Sequence, residues 1–313
     1  MSVKSDEKVF ISNFDLLFSG QFGRGPKKYI GSLPVVKCRF CEKSAPDVLF
    51  KKSAHAISEL CCNHQLILRD ECDTCNALFA ESLEDHFGKY TKPFRILGQV
   101  RGKKKIPSYK TPSQRSRVDI EPKKGIIFVE REDDPFIEME EDRIKIKFIL
   151  ERYIPVAVYK AIVKMAISVM PDSELAEFRL TKRWILHRDH TVPLIDPLLM
   201  WVTFIPGIRP FEGASVMLLR KKNSSTISAL PYCIFVLAFG NIQLQIMVPA
   251  LSDRKGKDGP TQFEIPRFPT PFDKNWPYGT PRPKYEDLSS GEYTEPRTIT
   301  MFMHYDRKED CLL

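Results

Sequence analysis

The sequence predicts an α+β protein in which a small cysteine-rich module precedes a larger α+β domain with a mainly antiparallel sheet. Three observations support this fold class. Six of the eight cysteines lie between Cys38 and Cys75, residues 156–170 carry apolar side chains at helical spacing, and residues 199–248 contain short runs of branched and aromatic residues typical of strands. At 313 residues, 42% of them hydrophobic, the chain is long enough for one large domain or two smaller ones.

The net charge of +8 is concentrated in the first part of the chain. Residues 1–124 contain 23 Lys and Arg against 14 Asp and Glu, whereas residues 125–313 contain 25 against 26. A local basic excess is typical of a phosphate-binding surface, although a solvated basic linker has the same composition. No segment has the roughly 18 to 20 apolar residues of a membrane span, and the first residues lack a signal-peptide core. We therefore expect a cytoplasmic protein without membrane contact.

Changes in charge along the sequence divide the first half of the chain into segments. Residues 1–37 combine the apolar stretch VFISNFDLLF with the basic stretch QFGRGPKKYIG, which predicts a lead-in strand or helix and a loop. Residues 101–124 are strongly basic and predict a linker or an extended strand pair, whereas residues 130–142 are strongly acidic. This change predicts a zinc-finger module at 1–110, a basic linker at 111–124 and an α+β regulatory or interaction domain at 125–313.

The C-terminal domain is predicted to contain a helix pair and a sheet. An alternating pattern predicts a strand at 144–150, and helical spacing predicts a helix at 156–170 that Pro171 ends, followed by a second helix capped by Asp172 or Ser173. Gly240 and Asn241 predict a hairpin turn. The proline-rich residues 253–296 are expected to lack regular structure. The predicted strands of this region are 199–205, 216–220, 232–239, 242–248 and 298–304.

Two Cys-x-x-Cys pairs, Cys38 with Cys41 and Cys72 with Cys75, predict a structural zinc site. Each pair can direct two thiolates at one ion, and four thiolates complete a tetrahedral zinc site. Because the cytosol keeps thiols reduced, metal binding is favoured over disulfides. A site with four protein ligands has no open position for substrate, so any chemistry must come from other residues.

The residues around these cysteines resemble a known enzyme family. The segments CRFCEKSAPDVLFKKSAHAISEL and NHQLILRDECDTCNALF are similar to HNH endonucleases whose finger is held by a CxxC...CxxC zinc, and the resemblance covers about residues 36–110. It implies a ββα-metal fold that hydrolyses DNA phosphodiester bonds with Mg²⁺ or another divalent cation, as in bacterial anti-phage defence. It also implies that His55 is the general base, that Asn76 is a ligand of the catalytic cation, and that Asn63 holds the hairpin in shape.

One position departs from the family pattern. HNH fingers usually carry an acidic residue or a histidine directly before the base as a second ligand of the catalytic cation, and here that position is Ala54. Glu84, His86 and Glu81 are the alternative ligands that the following helix offers. The departure also leaves open a catalytically silent zinc-finger protein that binds nucleic acid or serves in an assembly. In that case His55 is a packed histidine and Asn76 a helix cap.

The basic segment after the finger is the predicted DNA contact. Its residues would lie along the phosphate backbone and position the duplex without reading its sequence. The lack of interleaved aromatic residues favours duplex DNA over single-stranded RNA. The C-terminal domain would bind a protein partner or form a homo-oligomer. The predicted DNA-binding residues are Arg101, Lys103, Lys104, Lys105 and Lys110.

Overall fold

The computed structural model describes residues 7–35, 37–121, 125–254 and 263–304. It has the predicted α+β class, with sheets that are mainly antiparallel. The last residues of the predicted basic linker, 122–124, lie outside the described part of the chain. The elements of the N-terminal module are α1 (Glu7–Asn13), β1 (Phe14–Phe22), β2 (Lys28–Ile30), β3 (Ala54–His55), β4 (Leu66–Leu68), α2 (Asp73–Phe79) and α3 (Asp85–Leu97).

The centre of this module is a short hairpin followed by a helix. Strand β3 runs antiparallel to β4, so that His55 lies opposite Ile67, and β2 adds to β4 in parallel. The chain then enters α2, whose N-cap is Cys72. A π turn at Ala80–Glu84 joins α2 to α3. This turn adds a residue to the helical repeat, so Glu84, one of the alternative cation ligands, does not follow Asn76 at regular α-helical spacing.

The middle of the chain forms two small sheets. One contains β5, β6 and β7, and the other contains β8 and β9 together with a strand from the C-terminus. Part of the basic segment is therefore an extended strand pair, as predicted, because β5 and β6 lie within it. The strands are β5 (Tyr109–Lys110), β6 (Arg117–Glu121), β7 (Gly125–Val129), β8 (Ile137–Met139) and β9 (Arg143–Ile149).

The predicted helix pair is present. Helix α4 (Pro155–Ser168) is buried along its whole length, and a 3-10 turn at Asp172–Phe178 leads into α5 (Arg179–Leu186). Asp172 does not cap this turn. Its carboxylate instead accepts hydrogen bonds from Ser32 and Arg39, which belong to the N-terminal module. A side chain expected to act locally thus joins the two halves of the chain.

The largest sheet has six strands in the order β1-β11-β12-β13-β10-β14, all antiparallel to their neighbours. The predicted turn is confirmed, since Phe239 pairs with Ile242 across Gly240 and Asn241, and Gly240 adopts a φ of 55°. The strands are β10 (Leu199–Phe204), β11 (Phe211–Lys221), β12 (Cys233–Gly240), β13 (Ile242–Met247), β14 (Arg282–Asp287) and β15 (Thr298–His304), of which β15 pairs with β9.

Strand β14 corrects the expectation that residues 253–296 lack regular structure; residues 255–262 lie outside the described ranges. The strand reads RPKYED and has no apolar run, so hydrophobic periodicity does not reveal it. It lies at the edge of the sheet, where Pro283 is tolerated because one side of the strand needs no ladder hydrogen bonds. Its position therefore depends on the backbone of β10, which only the tertiary structure supplies.

The domain boundary near Gly125 stays a prediction, and two features of the fold cross it. Strand β1 of the N-terminal module pairs with β11 of the C-terminal half. One hydrophobic cluster also contains buried residues from both halves, including Phe79, Val163 and Phe239. No helix within the described ranges has both the length and the apolar character needed to cross a bilayer.

Candidate functional site

The four predicted zinc ligands lie together. The Sγ atoms of Cys38 and Cys75 are 3.8 Å apart, those of Cys41 and Cys72 are also 3.8 Å apart, and all four lie within 4.8 Å of one another. Four sulfur atoms bound at 2.3 Å to one zinc ion at the corners of a tetrahedron are about 3.8 Å apart. The cysteines therefore have the spacing that a structural zinc site requires.

Backbone N–H groups point at two of these sulfurs, although burial raises the pKa of Cys72 to about 11. The N–H of Cys72 donates to the Sγ of Cys38, and the N–H of Cys75 donates to the Sγ of Cys72, both at 3.4 Å. Hydrogen bonds, first from the Cys75 thiol and then from the backbone, lower the pKa of Cys38 to about 4 although burial opposes this shift. The first sulfur of the set is thus ready to bind a cation at neutral pH.

Asn63 braces the loop between β3 and β4. Its side-chain amide is fully buried and donates to the carbonyl oxygens of Ile57 and Leu66, while its Oδ1 accepts from the N–H groups of Gln65 and Leu66. These four hydrogen bonds satisfy backbone groups that the short strands leave unpaired. The geometry is that of a residue that holds the hairpin in shape.

A cluster of two histidines and one carboxylate lies on this hairpin. Oε2 of Glu59 is 3.9 Å from Nδ1 of His55, and Oε1 is 3.5 Å from Nδ1 of His64. The His55 and His64 side chains keep 19% and 22% of their surface exposed. Nδ1 of His55 and Nε2 of His64 are buried without a hydrogen-bond partner among the described residues, so Glu59 acts on His55 through its charge and not through a hydrogen bond. From the sequence alone, no role was assigned to His64, and Glu59 was not identified. The only signal in the sequence was the spacing, since Glu59 follows His55 by four residues and His64 follows Glu59 by five.

Burial and positive charge keep His55 neutral. Burial and then the positive charges of Lys164, Lys27 and Lys103 lower the pKa of its imidazole to about 4, even though Glu59 is close. A pKa below the ordinary value means that the ring is unprotonated at pH 7 and gains a proton only in acid. His55 is therefore in the unprotonated form that a general base needs at neutral pH, although a pKa this low makes it a weak base.

Basic segments flank this cluster on two sides. The N–H of His64 donates to the carbonyl oxygen of Gly23, which places the stretch that contains Lys27 beside the hairpin. On the other side, Gly102 lies close to the carbonyl oxygen of Glu59. All five predicted DNA-binding side chains are exposed, and none pairs with an acidic group among the described residues; they are Arg101, Lys103, Lys104, Lys105 and Lys110.

The positions of Asn76 and Ala54 do not support a cation site beside His55. Asn76 is the fourth residue of α2 and is half-buried, so it is not the helix cap, a role that Cys72 fills. Within the described ranges, no hydrogen bond or ion pair joins Asn76 to His55. Ala54 is 1% exposed, and because neighbouring residues of a strand face opposite sides, it points away from His55.

The three alternative ligands on the helix are also dispersed. Glu81 forms an exposed ion pair with Arg188. His86 is buried, and its Nδ1 accepts a hydrogen bond from the N–H of Ile154. Glu84 lines a small cavity with Lys164. In the part of the chain that the structure describes, the four cysteines are the sole group of three or more Cys, His, Asp or Glu residues whose ligand atoms all lie within 4.8 Å of one another, so no second set this compact is assembled for a catalytic cation.

A buried ion pair connects the hairpin to helix α4. Lys164 Nζ lies 2.9 Å from Oε2 of Glu71 and donates a hydrogen bond to the carbonyl oxygen of His55 at 3.0 Å. Both side chains are almost fully buried, and burial raises the pKa of Glu71 to about 7 although Lys164 opposes the shift. Sequence reasoning missed this lysine, whose signal was a cation within the apolar helix VAVYKAIVKMAISVM.

Comparisons with protein-family models, with curated proteins and with solved structures found no match to this chain. The resemblance to HNH endonucleases therefore stays a prediction from the quoted residues.

We predict that the purified protein contains one zinc ion per chain. Replacing Cys38 with Ser should abolish stoichiometric zinc and destabilise the N-terminal module, because the thiolate set is then incomplete. Elemental analysis of protein purified without chelator measures the content. Cys62→Ser is the matched control, since Cys62 lies in the same module, in the loop between β3 and β4, but outside the cluster. Zinc-free wild-type protein would contradict this site.

We predict that Lys164→Met lowers the free energy of unfolding by about 3 kcal/mol or more at about pH 8, since the buried Glu71 carboxylate then has no charged partner. Urea denaturation followed by circular dichroism gives the value. Adding Glu71→Gln to this variant should recover part of the loss. Lys89→Met, which breaks an exposed ion pair with Asp85, should cost under about 1 kcal/mol. Equal losses in the two lysine variants would disprove the argument.

Proposed function

We propose that the protein is a metal-dependent endonuclease of the HNH type that hydrolyses phosphodiester bonds in duplex DNA. The observation that supports this proposal most strongly is the position of His55. It is mostly buried, with 19% of its side chain exposed, on the first strand of a ββα unit in the module that contains the four-cysteine site, and two basic segments flank it. An acceptor of protons surrounded by cations is suited to act on a phosphate group.

The proposed role of His55 is to take a proton from the attacking water. In the tautomer that carries its proton on Nδ1, towards Glu59, the ring can receive the proton of the water on Nε2. The water oxygen forms a bond to phosphorus while the bond from phosphorus to the leaving oxygen breaks, and the leaving oxygen takes a proton from solvent. A base with a pKa near 4 is weak in the free protein. A bound phosphate would offset the positive charges of Lys27, Lys103 and Lys164 and so raise this pKa towards the range in which general bases work best.

The exposed basic residues are proposed to hold the DNA. Five cations without acidic partners can each replace a counterion on the phosphate backbone, and such contacts are strong but independent of sequence. A basic residue near the base also places the scissile phosphate within reach of His55. Cleavage of many sequences is therefore expected, with affinity that falls steeply as salt rises.

The catalytic cation is the least supported part of this proposal. HNH chemistry uses a divalent ion such as Mg²⁺, and Asn76 is the residue proposed to ligate it. The described residues gather no further ligands around Asn76, and we derive no step through the ion. Location in the cytoplasm, a role in anti-phage defence, and a protein partner or second copy bound by the C-terminal half remain predictions.

The second candidate function is a catalytically silent protein that uses the same surface to bind nucleic acid. Two observations favour it: Ala54 is buried where the family carries a cation ligand, and no second ligand cluster is assembled among the described residues. In this case the zinc site and the basic segments would serve binding alone. The two candidates differ in whether wild-type protein cuts DNA.

We predict that His55→Ala abolishes plasmid cleavage in the presence of Mg²⁺, Mn²⁺ or Ni²⁺ while zinc content and DNA affinity stay nearly unchanged. The reason is that a general base acts in the transition state, whereas the fold depends on the thiolates. Gel assays measure cleavage, and elemental analysis and fluorescence anisotropy measure the other two quantities. Asn76→Ala should also lose activity and should partly recover it at high metal concentration.

The control for this prediction is His187→Ala, because His187 is an exposed histidine at the end of α5. This variant should cleave like the wild type. Wild-type protein that binds DNA and contains zinc but never cuts with any of the three metals would support the silent binding protein instead. Cleavage that survives in His55→Ala would show that another group is the base.

We predict that changing Arg101, Lys103, Lys104, Lys105 and Lys110 to Ala reduces the slope of log K against log salt by roughly four to five units, since each phosphate contact releases counterions. The control variant changes five other cations to Ala, each of which already pairs with an acidic residue. It removes the same net charge as the first variant. An unchanged slope in the first variant would assign the basic segment to a solvated linker. The control residues are Lys89, Lys92, Arg115, Lys145 and Lys147.

A further inference from the structure

A cleft of about 740 Å³ lies between the first cysteine pair and the 3-10 turn and helix that follow α4. One wall contains residues 37–42 of the N-terminal module, and the other contains Asp172, Leu175 and residues of α5. Neither His55 nor any predicted DNA-binding residue lines it. The cleft is therefore separate from the proposed nuclease site, and its volume is within the range of small-molecule sites.

The walls of the cleft are held together by a buried arginine. The Arg39 guanidinium is almost fully buried and pairs with Asp70 of its own module and with Asp172 across the cleft, and it donates to the carbonyl oxygen of Met170. Lys182 of α5 pairs with Glu42 of the cysteine module. Each of the three carboxylates that line the cleft, Asp70, Asp172 and Glu42, is therefore in an ion pair.

Three further cations line the cleft and form no ion pair among the described residues: Lys37, Arg179 and Arg183. All three are exposed. Lys182, the ion-pair partner of Glu42, lowers the pKa of that carboxyl group most, and Lys37 and Arg183 lie close enough to Glu42 to add to this shift. Arg179 and Arg183 are four residues apart and therefore lie on the same face of α5, opposite Lys37. Counting all charged residues of the lining, five cations face three carboxylates. Like charges that converge in this way repel one another unless an anion lies between them.

The rest of the lining is mainly apolar, from Phe40, Leu175, Ala176 and Leu186. It also includes Ser32 and the proposed zinc ligands Cys38 and Cys41, whose thiolates add negative charge to this wall when they bind zinc. We propose that this cleft binds a phosphate-bearing small molecule, with the phosphate on Lys37, Arg179 and Arg183 and the organic part against the apolar wall. Arginine is suited to this role because its planar guanidinium can donate two hydrogen bonds to one phosphate. A nucleic-acid backbone would use the cations but would leave the apolar wall without a partner, so a small molecule is favoured.

Isothermal titration of the full-length, zinc-containing protein with inorganic pyrophosphate and with AMP tests this proposal. We expect saturable binding of one molecule per chain, with AMP gaining from contact with the apolar wall. Arg179→Ala/Arg183→Ala should weaken binding of both probes at least tenfold, because two charge-assisted contacts are lost. Both arginines are exposed, so this variant should fold, and its circular dichroism spectrum and zinc content check that it does.

The matched control is Lys145→Ala/Lys147→Ala, which removes the same net charge from strand β9, outside the lining of the cleft and outside the proposed DNA surface. It should bind pyrophosphate and AMP like the wild type. Equal weakening in both variants would reduce the effect to net charge and overturn the proposal, as would the absence of binding by either probe up to about 1 mM. Loss of duplex DNA affinity in the arginine variant without any pyrophosphate binding would assign the cleft to a nucleic-acid surface. None of these outcomes depends on cleavage activity.

Discussion

Helix α4 is the element on which the rest of this structure depends, because every one of its residues is buried and two of them are lysines. A buried ammonium group is costly unless polar partners surround it. Lys164 finds them in Glu71 and the carbonyl oxygen of His55, and Lys160 finds them in His187, Asp189 and His190. The helix thus ties the cysteine module on one side and the end of α5 on the other to a single core.

This arrangement determines the environment of the candidate site. Lys164 approaches His55 from the core, while Lys27 and Lys103 approach it from the surface. The hairpin itself is too short to organise these groups, and it relies on Asn63 and on the four cysteines to hold its shape. An unprotonated imidazole surrounded by positive charge is a stable arrangement for the free protein and one that a phosphate anion would improve.

The distribution of charge in space differs from its distribution along the chain. The basic excess lies in the first 124 residues, which directs attention to the finger and the segment after it. In the folded protein, Arg179 and Arg183 from the nearly neutral half lie across a cleft from Lys37 of the basic half. A second concentration of cations arises in this way, because the fold brings Lys37 close to the basic run 179–188, which carries four Lys and Arg and no acidic residue.

The sequence by itself determined the features that depend on local spacing. The paired cysteines, the helix that became α4, most strands of the large sheet and the turn at Gly240 follow from periodicity, ligand spacing and turn chemistry, which act over a few residues. Only the tertiary structure decided features that join distant residues. Strand β14 forms because β10 offers it an edge, Glu59 and His64 meet His55 because Asn63 folds the loop, and Lys164 reaches Glu71 because α4 is buried beside the hairpin. Such contacts depend on which surfaces pack together, and a linear pattern does not record this.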